Sequence, residues 1–100
     1  LTTTGTEENK EIPHTFSLSQ NYPNPFNPNT IIKYQIPDRC IANIKVYDEL
    51  GRVVAELINE EKAAGGYEVK FDGKNLSSGV YYYQLRAGSF IETKKLVLLK

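Results

Sequence analysis

Cys40 is the one thiol of the 100-residue chain and His14 its one imidazole. A nucleophilic site would need Cys40, or a serine, beside a base such as His14. The spacing does not deliver that pair: His14 falls in a polar stretch that reads as linker, and Cys40 reads as a small apolar residue near the start of a strand. Asp48-Glu49 and Glu60-Glu61 are paired acids by sequence. Neighbouring carboxylates in exposed turns are solvated and seldom acquire the shifted pKa that acid-base catalysis needs, so turn chemistry accounts for them better. Asp72, Asn75 and the backbone of the loop from Asp72 to Gly79 offer oxygens to a calcium ion, but the periodic acidic spacing of an EF-hand is missing. Asn75-Leu76-Ser77 matches a glycosylation acceptor, a pattern common by chance. There is no two-Cys, two-His zinc spacing and no glycine-rich phosphate loop. Exposed tyrosines such as Tyr82 are read as cross-strand partners rather than stacking platforms for bases. The expectation is a non-catalytic domain with no cofactor and no metal.

The most unusual stretch is Asn21-Tyr22-Pro23-Asn24-Pro25-Phe26-Asn27-Pro28-Asn29, with three prolines in six residues. Each proline fixes its own φ and steers the preceding residue to extended backbone, while asparagine side chains bond nearby backbone. The segment formally matches a proline-rich ligand motif. Lying between two strands, it reads better as a rigid corner with Tyr22 or Phe26 tucked onto the core.

These residues need a scaffold, and composition bounds what it can be. Apolar residues make up 40% and charged residues 24%, with twelve Gly and Pro together, as in soluble globular domains. At this length one domain is expected. Twelve Lys and Arg balance twelve Asp and Glu, so no global field draws the chain to nucleic acid or anionic lipid. The longest aliphatic and aromatic runs, such as Leu96 to Leu99, span four residues, against roughly 20 for a bilayer-spanning helix, and no membrane insertion is expected. A single cysteine excludes an internal disulfide. There is no Met even at position 1, and Leu1 to His14 lack the basic start and apolar stretch of a secretory signal. The sequence therefore reads as the C-terminal piece of a longer chain.

Residues 1–14 are predicted to be a flexible linker to an upstream domain, because Thr, Gly, Glu and Lys cannot offset the entropy of ordering. Residues 15–100 alternate in polarity with the period of two that half-buried strands require. Strands are expected at Phe16–Leu18, Ile32–Ile36, Ala42–Tyr47, Arg52–Ile58, Tyr67–Phe71, around Tyr81–Arg86, and from Phe90 to Leu99. Asp48 to Gly51 and Gly88-Ser89 are expected hairpin turns. Asn59 to Gly66 is an expected polar connection. Val53, Val54, Leu57 and Ile58 do not alternate cleanly, which predicts a bulge or burial on both faces. The fold class is all-β, an immunoglobulin-like antiparallel sandwich of about seven strands without a disulfide, with Leu96 and Leu98 facing inward. From Gly73 onward five basic residues face only Glu92, a net +4. That bias fits a docking patch and fits equally a charged edge that deters aggregation.

Six motifs in order carry a resemblance: Asn21-Tyr22-Pro23-Asn24-Pro25-Phe26-Asn27-Pro28, Tyr47-Asp48-Glu49-Leu50-Gly51-Arg52, Ala64-Gly65-Gly66, Phe71-Asp72-Gly73, Ser78-Gly79-Val80-Tyr81-Tyr82-Tyr83 and Thr93-Lys94-Lys95-Leu96. Over about Phe16 to Lys100 the chain resembles the C-terminal type A sorting domain of the type IX secretion system, the Por secretion tail family. A tryptophan common before the Asp-Gly step is Phe71 here, which keeps an aromatic plug.

The resemblance implies a non-catalytic address carried by a covalently linked upstream cargo domain in a Gram-negative cell of the Bacteroidota type. The cargo would pass through the periplasm, and the folded tail would be recognised by the type IX outer-membrane translocon. A surface sortase would often remove the tail, leaving the cargo secreted or at the cell surface. Carried over by position, the recognition candidates are Ser78, Gly79, Val80 and Tyr81 with the terminal segment, represented by Lys94, Lys95, Leu96 and Lys100. Removal is expected within Leu1 to Thr15, where a protease finds extended backbone. The last strand is expected to present its side chains and an unpaired edge for strand addition. Two other readings stay open: an interaction domain like the immunoglobulin-like part of flagellar hook-capping proteins, and an accessory sugar-binding sandwich using Tyr47 or Tyr82.

Overall fold

The computed structural model describes residues 13–100, so nearly all of the expected linker lies outside the described residues. Seven strands form: β1 (Ser17–Leu18), β2 (Asn29–Ile36), β3 (Cys40–Tyr47), β4 (Val53–Lys62), β5 (Gly65–Asp72), β6 (Gly79–Ala87) and β7 (Phe90–Leu98). They make a three-stranded sheet, β1-β2-β5, and a four-stranded sheet, β4-β3-β6-β7, antiparallel throughout. This is the order of an immunoglobulin-like sandwich: the β3–β4 and β6–β7 hairpins stay within the four-stranded sheet, while the β2–β3, β4–β5 and β5–β6 connections cross between sheets.

The period-two pattern sets what each sheet buries. Ile32, Tyr34 and Ile36 of β2 meet Ile44, Val46, Tyr83 and Leu85 of the other sheet, all at 2% exposure or less. Leu96 and Leu98 extend this core along β7. Burying one such aliphatic side chain contributes about 1.5–3 kcal/mol, and it is these residues that hold a disulfide-free domain together.

The β3–β4 hairpin turns as its residues require. Asp48 Oδ1 accepts the N–H groups of Leu50 and Arg52, each at 2.9 Å, and Oδ2 accepts Arg52 Nε at 2.7 Å. Gly51 takes φ = 85°, a conformation that strains any residue with a Cβ. The expected irregularity in β4 is present as two register shifts: Leu57 and then Val54 are the extra residues opposite β3.

One expectation is corrected. Asn59 to Gly66 is not a polar connection, because β4 runs on to Lys62 and β5 begins at Gly65. Glu60 and Glu61 are thus strand residues, paired with Ala42 and Ile41, and not turn acids. The strand outlasts the packed core there, so its backbone stays laddered while its side chains are charged on both faces. Lys62 reaches Glu60 at 2.7 Å and lies 4.9 Å from the Tyr67 ring centroid, partly covering the Tyr34–Tyr67 stack.

Candidate functional site

The residues singled out by sequence gather at one end of the β6–β7 hairpin, but they divide by orientation. Tyr81 and Leu96 face inward, at 8% and 0% exposure. The Tyr81 hydroxyl donates to the Ser77 carbonyl at 2.7 Å, the tyrosine-corner contact that fixes the turn into this strand of immunoglobulin-like sandwiches. Both residues shape the surface without forming it. Ser78 is exposed, and its Oγ accepts the Lys100 N–H at 2.9 Å, while Lys100 Nζ donates to the Lys74 carbonyl. Gly79 begins β6 opposite Leu98. Val80 lies across from Val97 on the outer side of the sheet, and exposed Lys95 lies across from Tyr82. Lys94 pairs with Glu92 at 3.2 Å.

Strand β7 is the edge of its sheet, as strand addition would require, but the terminal part of that edge is covered. The Asn/Pro-rich segment runs parallel along it. Phe26 N–H donates to the Val97 carbonyl at 2.9 Å, and Leu99 N–H donates to the Phe26 carbonyl at 3.0 Å. Asn24 Oδ1 accepts the Val97 N–H at 3.0 Å, and Gln20 Nε2 donates to the Lys95 carbonyl at 2.6 Å. The unpaired edge expected from sequence is therefore corrected at Lys95 to Leu99: chain from 70 or more residues away already satisfies those groups.

A buried network anchors this strap. The Tyr83 hydroxyl accepts the Asn21 N–H at 2.8 Å and donates to the Ser19 carbonyl at 2.7 Å. Asn21, 2% exposed, donates from Nδ2 to the Pro23 carbonyl and to Thr30 Oγ1, and Thr30 Oγ1 donates to the Pro23 carbonyl. Burial pushes the Tyr83 phenol up to about 12, against the opposing effect of the Asn21 N–H. Of the two aromatics, one of which is expected to tuck inward, it is Phe26 and not Tyr22 that does so, at 2% against 80% exposure. Phe26 reaches the core past Gly73, where a Cβ would stand 3.3 Å from its ring and 3.2 Å from Leu98. Glycine leaves room for this approach of strap and core, which a Cβ would crowd by a few tenths of an ångström.

The antiparallel register places further residues beside Val80 and Lys95 that sequence motifs did not mark as recognition residues. Val53, Tyr47, Tyr82 and Lys95 form one cross-strand row on the outer face of the four-stranded sheet, with Val80 and Val97 in the next. The signal was a parity one, and the bulges in β4 hid Val53's place in it.

Among the described residues, no group of three or more His, Cys, Asp and Glu is arranged to hold a metal ion. Asp72 Oδ1 accepts the Lys74 N–H at 2.9 Å, so it serves its own turn. Burial and then the Asp38 carboxylate push the Cys40 thiol up, away from the thiolate that nucleophilic attack needs. The arrangement can present a shaped, partly apolar surface.

Compared with known proteins, residues 20–99 match the family model described as the secretion system C-terminal sorting domain. No curated protein and no solved structure matches the chain.

Proposed function

The chain belongs to the family of secretion system C-terminal sorting domains, and from that premise we propose that it is a folded address, read by the type IX outer-membrane translocon at the end of the sandwich where β6 and β7 meet. The family assignment carries the reading: it is a signal of type IX secretion rather than a catalytic domain, and it implies a secreted or cell-surface cargo in a Gram-negative bacterium. The finer steps are part of the proposal. The covalently linked cargo reaches the periplasm first, the translocon engages the outward-facing members of the candidate set, exposed Ser78, Lys95 and Lys100 with half-buried Val80, and a surface sortase cuts upstream of β1. Gly79, Tyr81 and Leu96 act by holding those residues in place, with Lys94 at the margin.

The test is a reporter carrying a periplasmic export signal, followed by the full 100-residue chain, in a host with and without a working type IX translocon. Appearance of the reporter outside only the competent host is expected; equal release from both would overturn the reading. Truncating Leu96 to Lys100 is a poor test, because Leu96 and Leu98 are fully buried and their loss opens the core. Ser78→Ala and Lys100→Ala probe the surface without that damage.

A further inference from the structure

Large exposed apolar side chains are unevenly distributed among the described residues. Ile41, Val53, Tyr82 and Ile91 stand on the outer face of the four-stranded sheet, one from each strand, at 65%, 52%, 36% and 52% exposure. The outer face of the three-stranded sheet instead carries Lys33, Gln35, Glu68 and Lys70, with Lys33 directly across from Glu68. That face supplies its own counter-charge.

The four-stranded face does so only in part: Glu56 of β4 lies directly across from Lys45, whereas no carboxylate lies across from Arg86 or Lys95. Lys45, Arg86 and Lys95 rise from it around Tyr47, Tyr82, Val53, Val80 and Val97, and among the described residues none of the three cations makes an ion pair. Of the carboxylates on the same face, Glu61 lies 3.7 Å from Arg39, and Glu56 accepts Asn43 Nδ2 at 3.0 Å while facing Lys45 across the strands. An apolar patch at the Tyr47–Tyr82 end of the face, beside Arg86 and Lys95 that no carboxylate faces, is the anatomy of half an interface.

Resting on the sorting reading and naming the partner for that end of the domain, we propose that the outer face of the β4-β3-β6-β7 sheet is a docking surface for a protein with an aliphatic patch rimmed by Asp and Glu. A second copy of this chain is the wrong occupant, since face-to-face pairing would oppose like charges. The β7 edge from Lys95 to Leu99 is covered by the strap, so contact at that end of the face is made through side chains.

The test compares two double charge reversals of equal net change in the translocon-dependent reporter assay with the full chain. Arg86→Glu with Lys95→Glu, on the docking face, should lower export at least about tenfold, the effect of roughly 1.4 kcal/mol at the interface. Lys33→Glu with Lys70→Glu, on the opposite face, should leave export within about twofold, well under that cost. Thermal unfolding verifies that both fold. If the first pair unfolds the domain, Arg86→Gln with Lys95→Gln is read instead, with about a threefold loss expected because charge is removed rather than reversed. Equal export of docking-face variants and the unsubstituted chain overturns the docking proposal alone. Equal loss from both faces also overturns it, as a net-charge effect. Intact export with lost binding to an insoluble polysaccharide makes the face a sugar platform and overturns it as well. Export of the unsubstituted chain without the translocon overturns the sorting reading and this proposal together.

Discussion

The two edges of the four-stranded sheet face the same hazard, a row of unpaired backbone groups open to other strands, and they meet it by different means. At β4 the solution is local: two bulges bend the strand, and glutamates line its far half. At the terminal part of β7 a distant segment is laid along the edge, tied down by Tyr83, Asn21 and Thr30 and plugged by Phe26. Bulges and charges require only a few residues at the site. The strap requires a buried polar network, a glycine at Gly73 and an aromatic in the core. This contrast teaches that the β7 end is held to one shape, whereas the β4 edge is merely made unattractive.

Substitutions that strip the strap without touching β4 should show the largest effects. Phe26→Ala removes the plug between Phe71 and Leu98 and should cost about 3–5 kcal/mol, as truncation of a buried aromatic does. Denaturant titration measures that loss, and light scattering should reveal association through the uncovered edge. A loss under about 1 kcal/mol, the size of an ordinary surface substitution at most, would reduce the strap to decoration.

The next effect is alkaline. The Tyr83 phenol ionises near 10.0 when unfolded and at about 12 when folded. Its contribution is thus fully present below pH 10 and is lost as the pH rises to about 12, because the unfolded chain releases its proton first. Two units correspond to about 2–3 kcal/mol. Unfolding curves from pH 9 to 12 should show this decline, and Tyr83→Phe should flatten it while costing about 1–3 kcal/mol at neutral pH for the unpaired Asn21 N–H.

Asn24→Ala, which frees only the Val97 N–H, should cost about 1 kcal/mol. A cost like that of Phe26→Ala would mean the strap acts as one cooperative unit. The smallest effect lies at the β4 side. Hydrogen bonds from the Arg52 backbone, then its side chain, and from Leu50 hold the Asp48 carboxyl below 3.8. Its stabilisation is present above that value and lost as the pH falls through the lower folded pKa. Asp48→Asn should weaken the acid dependence of unfolding slightly and leave export unchanged.

Much of the fold was legible because polarity with a period of two is a local property. Ile32, Tyr34, Ile36, Leu96 and Leu98 announce their inward side with no knowledge of their partners. The end of β4 escaped, since Glu60, Glu61 and Lys62 have no apolar side to announce. The strap was legible as stiff but not as paired: its bonds to Val97 and Leu99 span over 70 residues, and no window of sequence contains both ends. The candidate site was half legible. Motif order marked the right hairpin, but motif membership does not distinguish Val80, which faces out, from Tyr81, which faces in. Tyr47 and Val53 joined the surface only through register with Tyr82.

Phe26 pairs with β7 in parallel, so the segment that enters the domain and the strand that leaves it lie side by side pointing the same way. Tension applied between Pro13 and Lys100 would therefore load the strap bonds in shear, all at once, instead of opening them in turn like a zip. A tag built this way is also a mechanical clasp, suited to being towed together with its load without coming undone.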